Sequence, residues 1–293
     1  MRWDVMADGG VRDLFNFAVV ANHLSGALAS RVGADGLPLR SLAYYNNFEW
    51  LPGADPTQPN NFTPNVVRWS DVVDMPNIRY GTVDATADMI MHGDGMHVGT
   101  PLQLLYRLQT GFYYIAHRWP DADRKLTELT TANPETTTQN ELGVDCELAG
   151  RCEKIFTGPK TKRTGPIAIT LPPGYALAEN KNTRYPVLFV LHGYGQDPRD
   201  LEPVALITNN FMNAGERSAG TRLPKFIVVY VDGRCRMPVG ADGKPGKPEC
   251  IRGTFYLDSN RPDGPKMDQW FDEVIDYMDT NYRTMPAADV EVT

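Results

Sequence analysis

Three runs of apolar residues dominate the second half of the chain: residues 166–171 (PIAITL), 186–191 (PVLFVL) and 225–231 (KFIVVYV). They are continuous rather than alternating, which predicts strands covered on both faces. The first run stops at Pro172-Pro173-Gly174, where prolines cannot continue a hydrogen-bonded ladder. Between and after the runs the period becomes helical. Leu206, Ile207, Phe211 and Met212 share one stripe within residues 201–214. Met267, Trp270, Phe271, Val274, Ile275, Met278 and Tyr282 share another within residues 266–285, with Asp268, Asp272, Glu273, Asp276 and Asp279 off it. This spacing predicts two amphipathic helices, the second with a solvated acidic face. Residues 290–293 begin like one more strand. Strands alternating with helices predict the α/β class and a mostly parallel sheet.

The first half reads differently. Leu104, Leu105, Leu108, Phe112 and Ile115 predict a helix over residues 102–116. Thr100 is placed to cap it and Pro101 to occupy its first position. Tyr44, Tyr45, Phe48 and Trp50 form an aromatic cluster; core packing is its commoner role, a sugar or aryl pocket the rarer one. A Thr/Pro/Asn tract including Thr130, Thr131, Pro134 and Thr136 separates the halves. The expected organisation is an N-terminal region of mixed fold over residues 1–128, a linker with a cysteine loop over 129–163, and an α/β domain over 164–293.

Composition narrows the function classes. With 42% apolar and 22% charged residues the chain can fold around a core. No apolar stretch is long enough to span a membrane. The net charge of −7 and the lack of a basic run argue against nucleic acid as a partner. The four cysteines fall in two local loop pairs, Cys146 with Cys152 and Cys235 with Cys250. That arrangement predicts two short disulfides and an extracytoplasmic location, periplasmic or secreted. No signal-peptide pattern follows Met1, so on this reading the mature chain begins elsewhere.

One motif carries chemistry. The run PVLFVL leads directly into His192-Gly193-Tyr194-Gly195-Gln196. Glycines after a buried strand let the backbone turn sharply and bring bare N–H groups to a developing oxyanion. Farther on come Val228-Val229-Tyr230-Val231-Asp232-Gly233, then Gly253-Thr254-Phe255-Tyr256, then the Trp270 helix running to Tyr282-Arg283-Thr284. In this order the segments resemble the esterase D-like family of α/β-hydrolases. That family includes S-formylglutathione hydrolases, feruloyl and acetyl-sugar esterases, enterochelin esterases and mycolyltransferases. The resemblance covers residues 164–293 and implies the front half of an α/β-hydrolase. It also implies a small-molecule or saccharide ester substrate, no cofactor, no metal, and an oxyanion loop at His192, Gly193, Tyr194 and Gly195.

The chain departs from the family where the nucleophile belongs. No G-x-S-x-G occurs; the nearest serines, Ser25 and Ser218, lack the leading glycine. The expectation is a serine esterase whose nucleophile is not in this chain, and a chain nearly inactive by itself. A non-catalytic saccharide-binding module is the alternative. Residues 91–100 add His92, Asp94 and His97 in a glycine-rich loop. Three readings stay open there. His97 could be a catalytic histidine with Asp84 or Asp74 as its acid, residues 1–128 then being the back half of a hydrolase. The three residues could form the metal site of a hydrolase. The loop could simply cap the next helix. His23 and His117 lie in helical surroundings and read as structural.

Overall fold

The computed structural model describes residues 7–31, 77–82, 84–101, 103–104, 107–108, 111, 151–212, 223–237, 244 and 246–285. The chain divides into two compact units, Met1–Pro120 and Asp121–Glu291.

In the first unit β1 (Ala7–Gly10) pairs in parallel with β2 (Asn77–Tyr80), Ala7 opposite Asn77 and Gly10 opposite Tyr80. Helix α1 (Phe17–Ala29) follows β1 and packs so closely that a Cβ on Gly9 would meet the Ala18 nitrogen at 2.4 Å. A short helix α2 (Ala87–Met91) follows β2, capped by the Thr86 hydroxyl. A further helix starts at 101 as predicted: the Gln103 N–H donates to Thr100 Oγ1 at 3.2 Å, and Gln103 Oε1 accepts the Thr100 N–H at 3.1 Å. This reciprocal box satisfies two N-terminal donors at once.

The second unit is an α/β arrangement around a four-stranded sheet. The strands are β3 (Arg151–Thr157), β4 (Thr164–Thr170), β5 (Val187–Leu191) and β6 (Ile227–Val231), in the order β3-β4-β6-β5. Helix α3 (Glu202–Met212) connects β5 to β6, and α4 (Met267–Asn281) follows β6. β3 and β4 form an antiparallel hairpin, β4 is antiparallel to β6, and β5 and β6 are parallel. The sheet is therefore mixed, not mostly parallel as the apolar runs suggested. The difference comes from β4, which runs antiparallel to β6, and from its hairpin partner β3, which lies inside the segment read as linker. Arg151, Glu153 and Lys154 hide it from an apolar pattern, yet Arg151 is fully buried with its guanidinium over the Tyr230 ring.

β6 is the central strand and every residue in it is buried. Ile227, Val229 and Val231 join Ile167 and Ile169 of β4 against Met267, Trp270, Val274 and Met278 of α4. β5 carries a similar run but lies at the edge of the described sheet, and Leu191 is 44% exposed. Beyond α4 the chain returns toward that strand: the Tyr185 N–H donates to Arg283 O and the Met285 N–H to Tyr185 O, an isolated parallel bridge just before β5. The strand expected over 290–293 lies outside the described residues.

Glu273 corrects the reading of an acidic face that is wholly solvated. It is 4% exposed and accepts the backbone N–H groups of Lys160 and Thr161 and the Thr161 hydroxyl. Burial opposes its ionisation, and these donors more than offset that, so its pKa is lowered. One carboxylate thus ties α4 to the β3–β4 turn. Cys235 and Cys250 are disulfide-bonded, and Cys152 is buried and also disulfide-bonded. Cys146 lies outside the described residues. These bonds are consistent with an oxidising compartment. Among the described residues no helix is long and apolar enough to cross a membrane.

Candidate functional site

β5 and β6 are parallel neighbours, so their carboxyl ends lie side by side, where open α/β sheets bind ligands. β5 leads into His192 and β6 into Asp232-Gly233. The buried His192 ring crosses between them. Its Nε2 accepts the Gly233 N–H at 3.0 Å and its Nδ1, which carries the proton, lies 2.9 Å from Gly193 O. The His192 N–H donates to the Tyr256 hydroxyl at 3.1 Å, and that hydroxyl donates to Val231 O at 3.2 Å. Burial pushes the Tyr256 phenol well above its ordinary pKa, so it remains a neutral bridge. His192 is thus a strut that sets the spacing of two strand ends.

The loop beyond it is less committed. The Gly193 N–H donates to Gln196 Oε1 at 2.6 Å. The N–H groups of Tyr194 and Gly195 have no partner among the described residues. Gly195 has φ +77°, a left-handed turn that glycine adopts without strain. Of the four residues predicted to form an oxyanion loop, two therefore offer free donors, and the other two hold the loop in place.

Asp232 is fully buried beneath this loop. Its Oδ1 accepts from Arg234 N at 2.9 Å and Nε at 3.0 Å, and its Oδ2 from Arg236 Nη2 at 2.7 Å. His192 Nε2 approaches Oδ1 at 3.4 Å, but its lone pair is taken by Gly233, so the arginines carry the charge balance. Burial works against ionisation, yet the hydrogen bonds and charge of Arg234 and Arg236 hold the carboxyl well below the usual range. Arg234 also pairs with Asp197, which caps the 3-10 turn Pro198–Leu201 after the loop. Arg163 pairs with Glu249 beside the Cys235–Cys250 bond.

Residues 251–256 close the cleft. The Gly233 carbonyl accepts both the N–H and the hydroxyl of Thr254 at 2.9 Å. A Cβ on Gly233 would strike the Tyr256 ring at 2.5 Å, so the ring lies flat on bare backbone. Arg252, Phe255 and Tyr256 have φ of +61°, +55° and +54°. Each left-handed residue costs roughly 1–2 kcal/mol, and such strain gathers where function needs it. Two in succession send Tyr256 inward and leave Phe255 68% exposed, stacked on Tyr194 at 4.8 Å and 12°. The resulting cleft is about 160 Å³ and is lined by His192, Gly193, Tyr194, Gly233 and residues 253–256.

The first unit holds a second arrangement, also at strand ends. His97 Nδ1 lies 3.0 Å from Asp13 Oδ2; His97 is 51% exposed and Asp13 1%. Asp13 follows β1 and is fixed by the Phe15 N–H, which donates to its Oδ1 at 2.8 Å. The His97 ring lies between Phe15 and Phe17, with centroids 5.3 and 5.2 Å away. Its carbonyl accepts from the Tyr80 hydroxyl at 2.7 Å and from Arg107 at 3.2 Å. Nε2 has no partner among the described residues. A histidine oriented through Nδ1 by a buried carboxylate, with Nε2 free, has the geometry of a general base.

Among the described residues the acid beside His97 is Asp13; Asp84 is exposed on a turn, and Asp74 lies outside the described residues. Asp13 had no signal, because a four-residue strand of Ala, Asp and Gly shows no apolar pattern. His92, Asp94 and His97 do not converge. His92 Nδ1 caps α2 through Asp88 O at 2.8 Å. Asp94 is buried, with Oδ2 taken by Arg12 and the Thr82 N–H and Oδ1 by the Thr82 hydroxyl and Gln103. A carboxylate so filled with donors, one of them cationic, has no lone pair to offer a metal. His23 is exposed on α1. Tyr44, Tyr45, Phe48, Trp50, His117 and Ser218 lie outside the described residues. No protein-family model matches the chain.

Proposed function

We propose that this chain carries parts of a serine-type carboxylic ester hydrolase of the esterase D-like kind. The observation that carries this reading is the pair of N–H groups at Tyr194 and Gly195, unbonded among the described residues, at the carboxyl end of β5. Donors held in place before the reaction stabilise a carbonyl oxygen as it becomes an oxyanion. The isolated parallel bridge between Tyr185 and Thr284, just before β5, agrees with a sheet that grows in the α/β-hydrolase manner. The first unit separately holds His97 oriented by Asp13, a pair with the geometry of a general base, as the back half of another hydrolase domain would carry it. The attacking serine is not presented in a G-x-S-x-G of this chain. The disulfides support an extracytoplasmic location, periplasmic or secreted.

The test is fluorophosphonate labelling of the complete native gene product, followed by mass mapping, together with phenyl acetate hydrolysis. A labelled serine and turnover are expected. A folded product that takes no label and turns over no ester overturns the reading and leaves a binding module.

A further inference from the structure

We infer that the Tyr194–Phe255 stack selects a planar aromatic acyl group. This inference rests on the ester-hydrolase reading and names its substrate class. Phe255 holds a left-handed backbone and yet keeps most of its ring in solvent. Neither feature stabilises the free protein, since the ring buries little apolar surface. Its one ring partner, Tyr194, is itself 51% exposed and is anchored by its hydroxyl, which donates to Ile251 O at 2.7 Å. Ile251 and Leu257, also exposed, extend the apolar surface. The two rings are nearly parallel, so a third flat ring can continue the stack, as offset aromatic pairs do.

The polar groups of the cleft point the same way. Its side-chain hydroxyls are already bonded: Tyr194 to Ile251 O, Thr254 to Gly233 O and Tyr256 to Val231 O. The His192 ring is held at both nitrogens. Each of these hydroxyls has spent its proton on a backbone carbonyl, so none is left to donate to a sugar oxygen. What remains free is the pair of N–H groups at Tyr194 and Gly195, which suit one carbonyl or carboxylate oxygen. Arg252, whose side chain passes beside Gly195, adds a positive charge there. A flat ring conjugated to a carboxyl matches this set, and a polyhydroxylated ring does not.

The test is binding to the whole 293-residue protein, with 2-naphthoate against decahydro-2-naphthoate, followed by saturation-transfer NMR and fluorescence titration. The two probes share charge and carbon skeleton and differ in planarity. We expect 2-naphthoate to bind at least tenfold more tightly, and Phe255→Gly to weaken it at least tenfold. The melting temperature of Phe255→Gly is expected to stay level or rise, because glycine relieves the left-handed backbone. Phe255→Tyr should keep the affinity, and Tyr194→Leu should lose it while remaining folded. Equal binding of the two carboxylates, or unchanged naphthoate affinity in folded Phe255→Gly, overturns the inference. Naphthoate selectivity in a gene product that hydrolyses no ester would leave the platform standing and remove the hydrolase reading. Ester turnover without that selectivity would remove the platform alone.

Discussion

Each unit of this protein pairs a histidine with an aspartate, and the two pairs serve opposite ends. His97 meets Asp13 at 3.0 Å with the imidazole half in water. Among the described residues Asp13 makes no direct ion pair with an arginine, although Arg107 acts on it through space, and Nε2 is left bare. His192 meets Asp232 at 3.4 Å with both side chains buried. There both ring nitrogens are bonded to backbone, and two arginines already neutralise the aspartate. A His–Asp contact is therefore not a catalytic signature in itself. What matters is whether one ring nitrogen still has a lone pair facing solvent, and whether the carboxylate is free to balance an imidazolium rather than an arginine.

Substituting the two histidines breaks the comparison most sharply. If general-base chemistry belongs to the first pair, His97→Ala in the active gene product lowers phenyl acetate turnover about 10²–10⁴-fold with little change in melting temperature. His192→Ala does the reverse in a melt, because it leaves the Gly233 N–H unpaired and frees the ends of β5 and β6. Equal losses of activity with unchanged melts would erase the distinction.

Asp232 should give the largest stability effect. Asp232→Ala is expected to cost about 3 kcal/mol, the low end for breaking a buried ion pair because Arg234 and Arg236 are partly solvated. Asp13→Asn, measured in the same urea titration, should cost about 1 kcal/mol, the value of a single hydrogen bond. The pH dependence follows from the sign of the Asp232 shift. Its pKa is lower in the folded protein, so the carboxylate contributes stability above its unfolded value of about 4. That contribution is lost as the pH falls below this value toward the folded one. Asp232→Ala should therefore flatten the acid limb of a stability profile between about pH 5 and 2.

The next effect is the Cys235–Cys250 bond, which closes a loop of 15 residues. Replacing both cysteines with serine should cost about 2–3 kcal/mol, read as a drop in melting temperature. It should also loosen residues 251–256, seen as faster amide exchange, while the His97 loop is unchanged. The smallest effect expected is Thr100→Ala, about 1 kcal/mol from losing the cap beside the His97 loop. Its readout is exchange in the first turn of the helix that starts at 101.

Much of the second unit was legible along the chain. The runs at 166–171, 186–191 and 225–231 all become strands, and the stripe from Met267 to Met278 becomes the helix that packs on them. The glycine turn after 191 falls at a strand end, where the pattern put it. β3 was not legible, because its charged residues are accommodated by tertiary partners: Arg151 lies over Tyr230. Nor was the fate of Glu273, whose helical position reads as solvent-facing until a hairpin turn covers it.

The sequence by itself determined three of the four strands of the described sheet and where its first glycine loop turns, because periodicity records burial within one element at a time. The tertiary structure alone decided that β5 lies at the edge of the described sheet and β6 inside it, though their compositions are alike, since burial of a strand depends on its neighbours. It also decided which aspartate each histidine meets. Asp13 and His97 are separated by 84 residues and His192 and Gly233 by 41. No local pattern encodes such a meeting; it follows from parallel strands that bring their carboxyl ends to one edge. The same convergence leaves one imidazole with a free nitrogen and turns the other into a strut.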